Sequence, residues 1–116
     1  MNYYSVRIAV IGIVDDGVIP DDGYTQDIQV HVVRAEGFDE AFDKALEIGR
    51  SQERCYQNED GHSVIWRFKE IEYVRNLGQQ VVGVEISTRF ESYFPIKALG
   101  ANSRFCPEES NPITDG

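Results

Sequence analysis

The chain has 116 residues, 41% hydrophobic and 27% charged, with 20 acidic against 11 basic side chains and a formal net charge of -9. A single domain, most often roughly 100–150 residues, accommodates that length, and the share of apolar residues excludes wholesale disorder. So acidic a chain is repelled by phosphate, which excludes a general counter-ion-release grip on nucleic acid and directs it toward basic surfaces.

The start, Met1 to Arg7, has neither the basic head nor the apolar run of a signal peptide, and no apolar run approaches the ~20 residues of a membrane helix. A bacterial-type cytoplasmic protein without a membrane partner is expected. Tyr4, Val6, Ile8 and Val10 alternate with Ser5, Arg7 and Ala9, which predicts a half-buried strand from about Tyr3 to Val14. The following segment, "DDGVIPDDGYTQD", is dense in turn formers around Pro20 and predicts an acidic loop. From Gln26 to Ala35, Ile28, Val30 and Val32 alternate with Gln29, His31 and Val33, predicting a second strand paired with the first.

The period then changes. Phe38, Ala41, Phe42, Ala45, Leu46, Ile48, Gly49 and Tyr56 share one helical stripe. Gly37 is an acceptable N-cap, Asp39 and Glu40 suit the positive end of the helix dipole, and Glu40–Lys44 is a favourable i,i+4 pair. Asn58 is read as the left-handed residue closing that helix, with Asp60-Gly61 as a turn. Val64, Trp66 and Phe68 form a third strand. A bulge near Lys69-Glu70 would keep Ile71 and Tyr73 inward as well. Arg75 to Gln80 reads as a turn, and a fourth strand carries Val82, Val84, Ile86, Thr88 and Phe90 inward, with Gly83, Glu85, Ser87 and Arg89 outward. The order β-β-α-β-β predicts an α+β two-layer sandwich, an antiparallel sheet of about four strands on one helix. Residues 1–94 form the domain, and 95–116 an irregular tail, either disordered or draped over the body or a neighbour.

Chemistry-bearing clusters are sparse. Cys55 and Cys106 are read as reduced thiols, with a staple between them as the alternative. Cys55, His62 and Asp60 supply the residue types of a nucleophile, base and orienter, but nothing in their spacing enforces contact. His31, His62 and the cysteines lack ligand-pair spacing. The double Asp-Asp-Gly loop matches no EF-hand spacing. Gly-Lys-Ser/Thr, Gly-x-Gly-x-x-Gly and Gly-x-Ser-x-Gly signatures are absent. No catalytic residue, metal or cofactor is therefore assigned.

One helix leaves one sheet face open. The outward residues there predict a mixed surface on which Arg7, His31, Arg67, Glu85 and Arg89 could bind a partner or a small anion, and exposed edges need pairing. A homodimer would satisfy both.

"YYSVRIAV", "FDEAFDKALEIG", "YQNEDGHSVIWRFKEI" and "GVEISTRF" together resemble a family of small uncharacterised bacterial proteins with a Tyr-x-Asn-x-x-Gly-x-x-Val-x-Trp-x-Phe pattern. Here the pattern falls on Tyr56, Asn58, Gly61, Val64, Trp66 and Phe68, joined by Gly83, Glu85 and Arg89. The resemblance spans roughly Tyr3 to Phe90 and implies a fold and a bacterial origin, but no activity. Three functions are then ordered. The first is a non-enzymatic interaction module, immunity- or antitoxin-like, meeting a basic protein through Asp15, Asp16, Asp21 and Asp22. The second is a regulatory domain holding a small anion on the open face. The third is an enzyme built on Cys55 and His62.

Overall fold

A computed structural model describes residues 1–80 and 88–115, with positions 88 and 89 described by their backbone alone. The elements are β1 (Asn2–Val14), β2 (Tyr24–Ala35), α1 (Phe38–Ser51), β3 (Arg54–Gln57), β4 (Ser63–Gly78), β5 (Thr88–Tyr93), a 3-10 turn (Pro107–Glu109) and β6 (Ile113–Asp115). The sheet runs β3-β4-β1-β2-β5 with antiparallel neighbours, and β6 adds to β4 in parallel. The expected α+β class and mostly antiparallel sheet on one helix are found, but among the described residues the sheet has six strands rather than about four. The two extra strands come from segments without strand-like alternation: β3 from the stretch read as the end of the helix, and β6 from the tail.

Helix α1 stops at Ser51, well before Tyr56, and the backbone turns out through Gln52 N–H to Gly49 O and Glu53 N–H to Arg50 O. Asp39 and Glu40 sit in its first turn and Arg50 in its last, each matched to the helix dipole. Ala41, Ala45 and Gly49 are its buried residues, four apart, so the face against the sheet is a stripe of small side chains. A Cβ on Gly49 would lie 2.4 Å from the Phe68 ring. The helix therefore rides as close to the sheet as a bare backbone permits.

β1 is the centre of the molecule. Tyr4, Val6, Ile8 and Val10 face α1 together with Phe68, Ile71 and Val74, and Phe38, Phe42 and Leu46 close that core. Ile11 and Ile13 point the other way and, with Tyr24 and Ile65, make a second core. Ile19 of the acidic loop, Tyr93 of β5, and Leu99 and Phe105 of the tail cover it. Ile8, Ala9, Val10, Ile11 and Ile13 are all sealed from solvent, so this run is buried on both faces. The face read as open is covered at this end.

Register decides the remaining faces. The β1–β4 ladder slips between Ala9 and Val10, skipping Lys69, and between Arg7 and Ile8, skipping Glu72. The first slip is the bulge expected near Lys69-Glu70, and it keeps Ile71 in the core. The second reverses parity again, so Tyr73 lies opposite Arg7, away from the helix, instead of facing the core. β4 continues through Gly78, where a turn was expected from Arg75. In β2 the pairs Val6–His31 and Ile8–Gln29 put Gln29, His31 and Val33 on the helix side, so the expected face assignment of that strand is inverted. Val82, Gly83, Val84, Glu85, Ile86 and Ser87 lie outside the described residues. Phe90, expected in the core, is 70% exposed.

Candidate functional site

The stretch from Tyr56 to Ile71 is a hairpin. Gln57 pairs with Ser63 and Arg54 with Trp66, and between them Asn58 Oδ1 accepts the N–H groups of Asp60 and His62, both at 3.0 Å. Gly61 takes φ +80, a conformation that costs a residue without Cβ nothing. Asn58 is thus the pivot of an Asx turn rather than a helix cap. Arg54 stacks on the Trp66 ring at 4.8 Å, and Trp66 Nε1 donates to Tyr56 Oη at 3.4 Å. Cys55 and Cys106 are free and exposed. Cys55 pairs across β4 with Ile65 while His62 sits in the turn, so the geometry holds no thiol–imidazole hydrogen bond among the described residues. Nor do those residues form a cluster of three His, Cys, Asp or Glu fit to hold a metal ion.

The residues expected to share an open face are dispersed. Arg7 Nε lies 3.2 Å from Glu72 Oε1, and its guanidinium stacks on the Tyr73 ring at 5.4 Å. That ion pair is close but misaligned, which leaves the buried Arg7 Nε–H without a hydrogen-bond acceptor. Burial holds the Glu72 carboxyl above its usual range, with Glu70 and Glu91 adding to the effect and Arg7 and Lys69 opposing it. Lys69 reaches over the Tyr93 ring at 4.4 Å. His31 is on the opposite, helix side, where its Nε2 sits 2.8 Å from Gln29 Oε1, and Gln29 Nε2 donates to Asp27 at 2.6 Å and to Gln52 at 3.3 Å. Burial lowers the His31 pKa, with Asp27 opposing. Gln29 and His31 thus belong to a polar network joining β2 to the end of α1. Arg89 pairs with Ile28 in register, and Glu85 is outside the described residues. Arg67 stands apart, facing a hollow at the edge of β4.

A second surface was only half legible. Asp15, Asp16, Asp21 and Asp22 are all exposed, on a loop fixed at its base by Asp15 N–H to Ser63 O and at its tip by Gly23 N–H to Pro20 O. Tyr24 Oη lies 3.1 Å from Val18 O and accepts the Leu99 N–H at 2.7 Å, tying the loop to the tail. Gly23 packs so tightly on Phe94 that a Cβ there would come within 2.9 Å of the ring. The acidic loop therefore carries Val18 and abuts Phe94, which are 59% and 62% exposed. Sequence reasoning found the Asp cluster but not its apolar neighbours. The signal was there: Phe94 is a large apolar side chain at the very end of the expected domain, just before the polar tail.

A family model described as Domain of unknown function (DUF4288) matches residues 3–87. The chain belongs to this family. Among curated proteins and among solved structures, nothing matches. The DUF4288 match spans β1, the acidic loop, β2, α1, β3 and β4, and it ends before β5 and the tail. Phe94 at the acidic loop and three of the four residues that cover the second core, Tyr93, Leu99 and Phe105, thus lie beyond the matched DUF4288 region, whereas Val18 and Ile19 lie within it. Among the described residues of this DUF4288 chain, no helix is long and apolar enough to cross a membrane.

Proposed function

We propose that this DUF4288 chain is a non-enzymatic interaction module that docks a basic protein on its acidic loop, an immunity- or antitoxin-like role. The observation that carries the reading is the contact of Phe94 with Gly23, which brings an exposed aromatic ring against the loop that carries the four Asp carboxylates and the exposed Val18. An apolar centre inside a charged rim is the anatomy of a protein interface, and aromatic anchors carry much of the affinity of such patches. The net charge of -9 would speed encounter with a cationic partner. Affinity capture from the native lysate tests it, with wild type beside a Phe94→Ser, Asp21→Asn, Asp22→Asn triple variant. The expected result is a basic protein retained by wild type, released by salt and lost from the variant. Equal capture by both, or no basic protein on either, sinks the proposal.

A second copy of the chain is the competing partner, favoured by one observation. β5 is the last strand of the sheet path among the described residues, and it carries the exposed Phe90. A strand at the end of a sheet path invites another strand. A dimer by sedimentation that becomes a monomer in Phe90→Lys supports this reading, and a wild-type monomer at 100 micromolar protein, on the order of the concentrations used for such runs, removes it.

A further inference from the structure

The outer edge of β4 carries two short strands with a gap between them. β3 pairs with residues Ser63 to Trp66 and β6 with Tyr73 to Arg75. In between, the Phe68 N–H goes to Glu53 Oε2 at 3.2 Å and the Ile71 N–H to Ser110 Oγ at 3.0 Å, so side chains stand in for a ladder. Beside this gap lies a cavity of about 200 Å³, walled by the end of α1, by Arg67 and Phe68, and by the tail from Ser103 to Glu108. Pockets for drug-sized molecules run to ~300–1,000 Å³, so this smaller one suits a small ion or acid.

Its charges are unevenly used. Arg50 is held by Glu108 in an ion pair, and Glu53 is occupied by the Phe68 amide. Arg104 donates Nη1 to the carbonyls of Ala101 and Ser103, both at 3.0 Å, which anchors the guanidinium at the rim. The Arg67 side chain makes no hydrogen bond or ion pair among the described residues, and its Nε–H is buried without an acceptor. Leaving such a donor unsatisfied is costly, the more so for a charged group. Two carboxylates line the same cavity, but Glu108 is taken by Arg50 and Glu53 by the Phe68 amide, and neither pairs with Arg67.

We propose that this cavity binds a small oxyanion of the phosphate class, gripped by Arg67 from the floor and Arg104 from the rim. A guanidinium presents its N–H groups as a planar fork that matches two oxygens of such an anion, and the bond is charge-assisted. The site is separate from the acidic loop, so the two readings stand or fall independently.

The test titrates inorganic phosphate against sodium chloride at equal ionic strength, reading thermal shift and the Arg67 Nε–H signal by NMR. Saturable stabilisation by phosphate alone, with the Arg67 signal moving in step, is expected. Arg67→Gln and, separately, the exposed Arg104→Gln should each bind phosphate at least tenfold more weakly, while Arg75→Gln, at an exposed position beside Asp115, should match wild type. Equal shifts with phosphate and chloride would mean that water fills the cavity, and undiminished binding in Arg104→Gln and Arg67→Gln would equally overturn the proposal.

Discussion

The two faces of β1 are buried by different means. On one, a helix lays small residues at four-residue spacing against Ile8, Phe68 and Ile71. On the other, a loop residue, a β5 tyrosine and two tail residues are gathered over Ile11, Ile13 and Tyr24. The first face is built entirely from residues inside the matched family region, whereas Tyr93, Leu99 and Phe105 fall after its last residue, 87. A regular element covers the core of the domain, and irregular chain covers the part where the acidic surface and the Arg67 cavity are assembled. If that division is real, the two faces should respond differently to cutting.

Ile8→Ala, on the helix face and fully buried, should cost about 2–5 kcal/mol through lost transfer energy and the cavity left behind. Leu99→Ala, half-buried on the other face, removes less area and should cost about 1–2 kcal/mol. Urea unfolding with an unchanged m-value would report both as midpoint shifts. The double variant should equal the sum within about 0.5 kcal/mol if the faces act independently. A larger coupling would show that β1 transmits strain between them and that the division is only descriptive.

Gly49→Ala probes how tightly the helix face is closed. Alanine in a helix interior is worth about 1 kcal/mol over glycine, so propensity alone predicts stabilisation. Against that stands the Phe68 ring, 2% exposed and unable to swing aside, into which the new methyl would project. Overpacking of this kind costs about 1–3 kcal/mol, so a net loss of about 1 kcal/mol is expected in the same unfolding assay. A stabilised variant would mean that α1 can lift from the sheet.

What was legible in the sequence follows the same division. The helix and β1 were readable because a 3.6-residue stripe and a period of two are each imposed by one buried face. Ile8 to Val14 also carried a stronger message, a continuous apolar run, which marks burial on both sides. Reading it as simple alternation led to an open face that the tail in fact covers. The inversion of β2 has the same root: Ile28, Val30 and Val32 do share a face, but it is the one away from the helix, while Gln29 and His31 serve a polar network beside Gln52. β3 was hidden because its four residues, all exposed, show no burial pattern at all. Arg50 and Arg104 could not be joined to Arg67 from sequence, because the tail's path is set by distant contacts such as Leu99 N–H to Tyr24 Oη.

The smallest effect expected is a pH dependence arising in that β2 network. Burial lowers the folded-state pKa of His31 below its ordinary 6.5, so between the two values the unfolded chain binds more protons than the folded one. Stability from this group is then complete above about pH 6.5 and declines as the pH falls toward the lowered value. Glu72 acts in the opposite sense: with its folded pKa raised, protonation favours the fold, so its contribution improves as pH drops toward the ordinary carboxylate range. Comparing wild type with His31→Gln at pH 7.5 and pH 5.5, about one unit either side of the imidazole's ordinary value, cancels the Glu72 contribution. Glutamine keeps a donor for Gln29 Oε1 but cannot titrate, so the melting temperature of the variant should fall less over that interval than that of wild type. Equal falls would mean that His31 is as hydrated in the folded chain as in the unfolded one, and that β2 leaves this face of the sheet open to water.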